Sequence, residues 1–97
     1  MQFHITFKNL DPSNRIKCFA EKKSEKLKKF FRGKMNVKWI ISQEKNEHTA
    51  HLHVLGNRID YFGESKGNNL LAIIEDSLDK VERQLKKHKE IIKDHHK

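Results

Sequence analysis

The sequence predicts an α+β fold, a two-layer sandwich of order β-α-β-β-β-α with a four-stranded sheet and two helices on one face. Three observations predict it. Residues 2–8 alternate apolar and polar, two longer segments carry apolar residues at three- and four-residue spacing, and three short alternating runs lie between those segments. In the first run Phe3, Ile5 and Phe7 share one side while Gln2, His4, Thr6 and Lys8 share the other, the period of a strand with one buried face. Asn9 to Ser13 breaks the alternation. Asp11 or Ser13 suits a helix cap, and Pro12 is tolerated in a first turn. Ile16, Phe19, Ala20, Leu27, Phe30 and Phe31 then follow a helical period, so a first helix is expected from Pro12 to Arg32, stopped by Gly33.

Val37, Trp39 and Ile41 mark a second strand, and Glu44 to Glu47 a polar turn. The third strand directs Ala50, Leu52 and Val54 one way and His51, His53 and Leu55 the other. Gly56-Asn57 turns into a fourth strand, Arg58 to Glu64, carrying Ile59 and Tyr61. Gly67 with Asn68 or Asn69 closes it. Leu70, Ile74, Leu78, Val81, Leu85 and Ile92 form the stripe of a second helix reaching Lys93 or beyond, with residues 94–97 expected to fray. The helical crossover makes strands one and two parallel neighbours, and the short later connections make antiparallel hairpins. The expected core is Phe3, Ile5, Phe7, Phe19, Leu27, Trp39, Ile41, Leu52, Val54, Ile74, Leu78, Val81 and Leu85.

A chain of 97 residues with 35% apolar and 35% charged residues holds one domain and one thin core. No stretch approaches the ~20 apolar residues that cross a bilayer. The opening MQFHITF also lacks the basic-then-apolar order of a signal peptide, so a cytoplasmic protein without membrane partners is expected. A single cysteine, Cys18, excludes an internal disulfide and a thiolate zinc cluster.

Twenty-one Lys and Arg against 13 Asp and Glu give a net charge of +8, and its distribution is informative. Residues 12–33 net +6 and residues 80–97 net +4, residues 66–79 net −2, and the other segments are neutral. The helices therefore supply the whole excess. Helix two, acidic at its start and basic at its end, suits its own dipole, so part of the pattern is stability. On helix one Arg15, Lys22, Lys26 and Lys29 share a flank, with Lys17, Lys28 and Arg32 across the polar face. On helix two Lys80, Arg83 and Lys87 form one flank and Lys86, Lys89 and Lys93 the other. If the helices pack side by side, these ridges merge into one cationic surface matched to a phosphate backbone. The plain alternative is a solvated face that keeps the protein dissolved. Such a device has no need to leave the strands neutral. Lysine predominates over Arg, Asn and Gln, so contacts to backbone phosphate outweigh base readout.

Nothing in the chain points to catalysis or to a small-molecule substrate. It lacks a glycine-rich phosphate loop, a serine elbow and a paired general acid and base. His51-x-His53, with His4 on the same sheet, raises a metal-dependent enzyme as a third class, but spacing supplies no further ligand. A surface or RNA-facing role suits these histidines better. His95-His96 falls in the tail. Cys18 beside the apolar stripe reads as packing, Trp39 and Tyr61 as core, and Phe62, if exposed, as a ring able to stack on a base.

Several segments resemble the ribosome hibernation promoting factors, the family that includes the ribosome-associated inhibitor and sigma-54 modulation proteins. They are Met1-Gln2-Phe3-His4-Ile5-Thr6, Lys23-x-x-Lys26-Leu27, Glu44-Lys45 with His48-Thr49 and Leu52-His53-Val54, and the run from Asp79 through Arg83-Gln84-Leu85 to Lys89. The resemblance spans the chain, and the closing run is its most specific part. It implies a double-stranded-RNA-binding-domain-like fold bound to the small ribosomal subunit. There the family occupies the channel of messenger RNA and the aminoacyl- and peptidyl-site transfer RNAs, silencing ribosomes in stationary phase or stress. The positions matching its basic residues are Lys23, Lys26, Lys80, Arg83, Lys87, Lys89 and Lys93. With the charge map, the expected RNA-binding set is Lys22, Lys23, Lys26, Lys29, Lys80, Arg83, Lys86, Lys87, Lys89 and Lys93, without cofactor or metal. Helical geometry places Lys23 near the buried edge, where only a snorkelling stem frees its charge. The length resembles the short form, a monomer off the ribosome that relies on a separate small factor to pair ribosomes. Asn69-Leu70-Leu71 departs from the family's Asp-Met-Tyr-like helix start. The alternative reading is a generic structured-RNA-binding domain that recognises duplex shape.

Overall fold

A computed structural model describes the backbone of residues 1–95 and the side chains of residues 1–87. Its elements are β1 (Gln2–Lys8), α1 (Asn14–Ser24), a 3₁₀ helix (Glu25–Lys29), β2 (Met35–Glu44), β3 (Glu47–Gly56), β4 (Ile59–Gly67) and α2 (Leu70–His95). The strands form one sheet in the order β1-β2-β3-β4. β1 and β2 pair in parallel, and the remaining pairs are antiparallel, as the crossover argument requires.

The first helix differs from expectation. The segment does not run as one α-helix to Arg32; the α-helix ends at Ser24 and tightens into the 3₁₀ helix. Buried Ser24 lies at the junction. Its hydroxyl donates to the Ala20 carbonyl at 2.6 Å and accepts from the Trp39 indole N–H at 2.9 Å. The helix is thereby fixed to the middle of β2. Beyond it the three-residue step of a 3₁₀ helix sets Leu27 and Phe30 on one side, both against the core. Ser13 caps the start, accepting from the Ile16 N–H at 3.3 Å. Gly33, at φ 110°, turns the chain back toward the sheet.

Strict alternation separates two sheet faces. One row of registered residues, Ile5, Trp39, Leu52 and Gly63, faces the helices; the adjacent row, His4, Lys38, His53 and Phe62, faces away. The inward row ends in a glycine because α2 lies directly upon it. A Cβ at Gly63 would stand 2.4 Å from the Ser77 carbonyl oxygen. Ser77 is buried and donates its hydroxyl to the Ala50 carbonyl at 3.3 Å, so small residues let this helix approach β3 and β4 closely. Its first turn is capped by Asn69, whose side-chain oxygen accepts from the Ala72 N–H at 3.2 Å. Asn69 thus supplies one acceptor to the open N–H groups of the first turn.

Leu27, Trp39, Ile41, Leu52, Val54, Ile74, Leu78, Val81 and Leu85 are buried as expected, joined by Ala20, Met35, Val37, Ala50, Ile59 and Ile73. Phe3, Ile5, Phe7, Phe19 and Tyr61 are only partly buried against that core. For the β1 residues the cause is position, since β1 is an edge strand that lacks a neighbour on one side. Burial raises the Tyr61 phenol above its ordinary range. Cys18, expected to pack, is exposed. Ile92 of the expected stripe lies outside the residues with described side chains, as do His95 and His96.

Candidate functional site

Both helices cover the same sheet face, so the expected cationic residues with described side chains lie on one side of the molecule. Their surroundings differ. On the first helical segment Lys22, Lys26 and Lys29 are exposed, and none has an ion-pair partner among the described residues. Lys23 is the half-buried exception, its side chain 32% exposed, with Nζ 3.5 Å from Glu75 and 5.6 Å above the Phe19 ring centre. The buried-edge position inferred from its helical angle is the one it takes.

The cations of α2 differ along its length. Lys80 turns toward the outer edge of β4, where its ammonium donates to the Glu64 carbonyl at 2.5 Å and to Ser65 Oγ at 3.4 Å and pairs with Asp76 at 3.3 Å. Gln84 repeats the device, donating to the Phe62 carbonyl at 2.9 Å. Together they occupy outward carbonyls of an edge strand that would otherwise be open to pairing with another chain. Arg83 pairs with Asp79 at 2.9 Å, yet its side chain stays 77% exposed. Lys86 and Lys87 are exposed, and the Lys86 ammonium stands 5.4 Å above the Phe30 ring centre, a contact worth about 0.5–1 kcal/mol at an exposed site. The side chains of Lys89 and Lys93 lie outside the described residues.

One expectation needs correction. The two basic ridges do not merge along their whole length, because the groove between the helices is lined by Lys23 and Lys26 on one wall and by Glu75, Asp76, Asp79 and Glu82 on the other. Glu75, Asp79 and Glu82 recur at helical spacing, which sets an acidic flank of α2 toward the first helix. Over its first three turns α2 presents acids to this groove, and of the two lysines opposite only Lys23 is within ion-pair distance of one among the described residues. Past Glu82 the sign changes, and at Lys86 and Phe30 the basic end of α2 meets the end of the 3₁₀ segment. The cationic area is thus concentrated at one end of the helical layer, formed by Lys26 and Lys29 from one helical segment and Arg83, Lys86 and Lys87 from the other.

Asp76 ionises more readily than a free carboxyl. A hydrogen bond from the Ser65 hydroxyl, then one from Lys80, holds its carboxyl below the ordinary range near 3.8. His51 and His53 do not converge on a common point: His51 Nδ1 lies 3.5 Å from Glu64, and His53 Nε2 lies 2.5 Å from Asp60. No three His, Cys, Asp or Glu side chains among the described residues are placed to hold a metal ion. No helix there is long and apolar enough to cross a membrane. Sequence reasoning missed Gly63, Ser65 and Gln84, which carry neither charge nor periodicity; the only signal for Gln84 is its place one turn after Lys80 on the same flank.

A sheet of little net charge beneath a helical layer that bears most of the exposed lysines defines a class, the small basic α+β domain. The chain belongs to the sigma 54 modulation protein / S30EA ribosomal protein family, whose sequence profile matches residues 3–93. It is 35% identical over 97 residues to the ribosome hibernation promoting factor of Escherichia coli K12, covering 98% of this chain and all of that one. To the protein of the same name from Salmonella typhimurium it is 33% identical, with the same coverage. The fold matches the Protein Y N-terminal domain of Thermus thermophilus, with a TM-score of 0.85 at 24% identity over 91% of this chain and 99% of that one. It also matches a ribosomal subunit interface protein from Coxiella burnetii, with a TM-score of 0.72 at 18% identity, covering 89% and 97%.

Proposed function

We propose that this protein is a ribosome hibernation factor, a non-enzymatic silencer of translation in the cytoplasm of starved or stationary cells. It binds the small ribosomal subunit in the channel that messenger and transfer RNA would occupy, and its bulk excludes them. The observation that carries this reading is the concentration of unpaired, exposed lysines at one end of the helical layer, in a chain whose relatives are named for ribosome hibernation. Ammonium groups on a rigid layer meet ribosomal RNA phosphates without a large ordering cost, and the counterions they release drive binding.

Lys22, Lys26, Lys29, Arg83, Lys86 and Lys87 make the phosphate contacts, with Lys89 and Lys93 continuing the series in sequence. Lys23 and Lys80 act chiefly in the fold, since Lys23 is half-buried between Glu75 and Phe19 and Lys80 is tied to the Glu64 carbonyl and Asp76, whereas Arg83 keeps 77% of its side chain exposed beside Asp79. Pairing of silenced ribosomes is assigned to a separate small factor, and the protein is a monomer off the ribosome. Sedimentation tests the whole reading. Tagged protein from stationary cells is expected to travel with small subunits or whole ribosomes at low salt and to leave them as salt rises; protein found only in the soluble fraction at low salt overturns it. Competition by isolated duplex RNA at equal concentration would favour the generic duplex-binding alternative.

A further inference from the structure

The sheet face turned away from the helices carries an aromatic side chain that neither the core nor the basic surface uses. Phe62 sits in the middle of β4 with half of its surface exposed, 50%. Two imidazoles flank it, His51 with ring centres 5.6 Å apart and His53 at 6.2 Å. Both meet it at steep angles, 50° and 68°, so neither lies flat upon it. Each imidazole is held by its own carboxylate, Glu64 or Asp60. The backbone beneath is fixed as well, because Gln84 binds the Phe62 carbonyl. The ring is therefore held by the backbone beneath it and the imidazoles beside it, while half of it remains open.

Lys38 lies in the same cross-strand row, separated from Phe62 by His53 alone, and Lys66 lies four residues along β4 on the same face. Strand spacing puts both about 10–13 Å from Phe62 at the backbone, within reach of phosphates on either side of a base lying on the ring. The apolar area is one ring with Ile40, itself only 36% exposed, and the half-buried Leu55. That is too little for the apolar centre of a protein interface. An unpaired nucleotide needs one flat ring, flanking hydrogen-bond donors and cations nearby.

We propose that the open sheet face is a second RNA-contact surface, on which Phe62 stacks one unpaired base while Lys38 and Lys66 hold the flanking phosphates. It rests on the reading above only for the class of partner, and its residues are separate from the helical set. The protein would then grip RNA on two opposite faces.

The test uses the full chain and a short single-stranded RNA carrying one 2-aminopurine, read by quenching of that base. The wild type is expected to quench it. Phe62→Ala is expected to weaken binding about fivefold or more, as loss of a stacked base does, with the log–log salt slope unchanged because no charge is removed. Phe62→Tyr is expected to retain binding, and Lys38→Ala to make the slope shallower. Circular dichroism checks that each variant folds. Absence of quenching by the wild type, or equal affinity for Phe62→Ala, overturns the proposal, as does a photo-crosslinker at position 62 that captures protein and no RNA. A Lys26/Arg83/Lys87→Ala variant separates the two readings. Loss of ribosome co-sedimentation with intact quenching leaves both standing, while wild-type protein that quenches but never sediments with ribosomes removes only the hibernation reading.

Discussion

The two helical segments carry similar numbers of basic residues and use them differently. In α1 and the 3₁₀ turn beyond it, Lys22, Lys26 and Lys29 are exposed and make no ion pair among the described residues, and the attachment to the sheet narrows to the buried Ser24–Trp39 hydrogen bond and the apolar residues around it. In the first half of α2, Lys80 pairs with Asp76 and donates to the Glu64 carbonyl of β4, and the helix is pressed against β3 and β4 through Gly63 and Ser77. A count of lysines does not distinguish these roles. Charge near a close helix–sheet contact is engaged in the fold, and charge on the looser segment remains available to a partner.

The largest expected effect tests the close contact. Gly63→Ala must displace the Ser77 carbonyl or tilt α2, so it is expected to cost about 3 kcal/mol, at the upper end for overpacking, read as a lower denaturation midpoint. A loss under about 0.5 kcal/mol would show that α2 is no more tightly seated than its neighbour. Next is the hydrogen bond that fixes α1. Ser24→Ala leaves the buried Trp39 N–H without its acceptor and is expected to cost about 2 kcal/mol, with a change in Trp39 fluorescence.

The smallest stability effect concerns Asp76. Its folded-state pKa is lowered, so its contribution is complete above the unfolded value near 3.8 and is lost as pH falls through the lower native value. Wild type is expected to exceed Asp76→Asn by less than about 1 kcal/mol at pH 7, as for other exposed pairs. As pH falls through the native value of Asp76, the difference is expected to vanish. A constant difference across that range would contradict the assigned role of Ser65 and Lys80.

Strand alternation makes the sheet legible, because a period of two assigns each side chain to a face whatever the rest of the fold does. Gln2–Lys8 matches to the residue, and the inward set Ala50, Leu52 and Val54 is the one observed. The junction at Ser24 is not legible. Leu27, Phe30 and Phe31 satisfy a three-residue step as readily as a helical one, and the partner that fixes Ser24 lies fifteen residues away. The acidic start of α2 is visible as composition. Its direction is not, since the rotation of one helix against another is set by packing, here by Gly63, and a glycine carries no pattern. Lys80 reads as a free cation in the sequence for the same reason; only the fold brings the β4 carbonyls to it.

The salt dependence of ribosome binding tests the difference between the segments most directly. With Lys22, Lys26 and Lys29 changed to Ala, the log–log slope is expected to become shallower by about 2, at 0.7–0.9 for each phosphate no longer neutralised, while Lys80→Ala leaves it unchanged. Equal slopes for wild type and the triple variant, or a change confined to Lys80→Ala, would contradict the account.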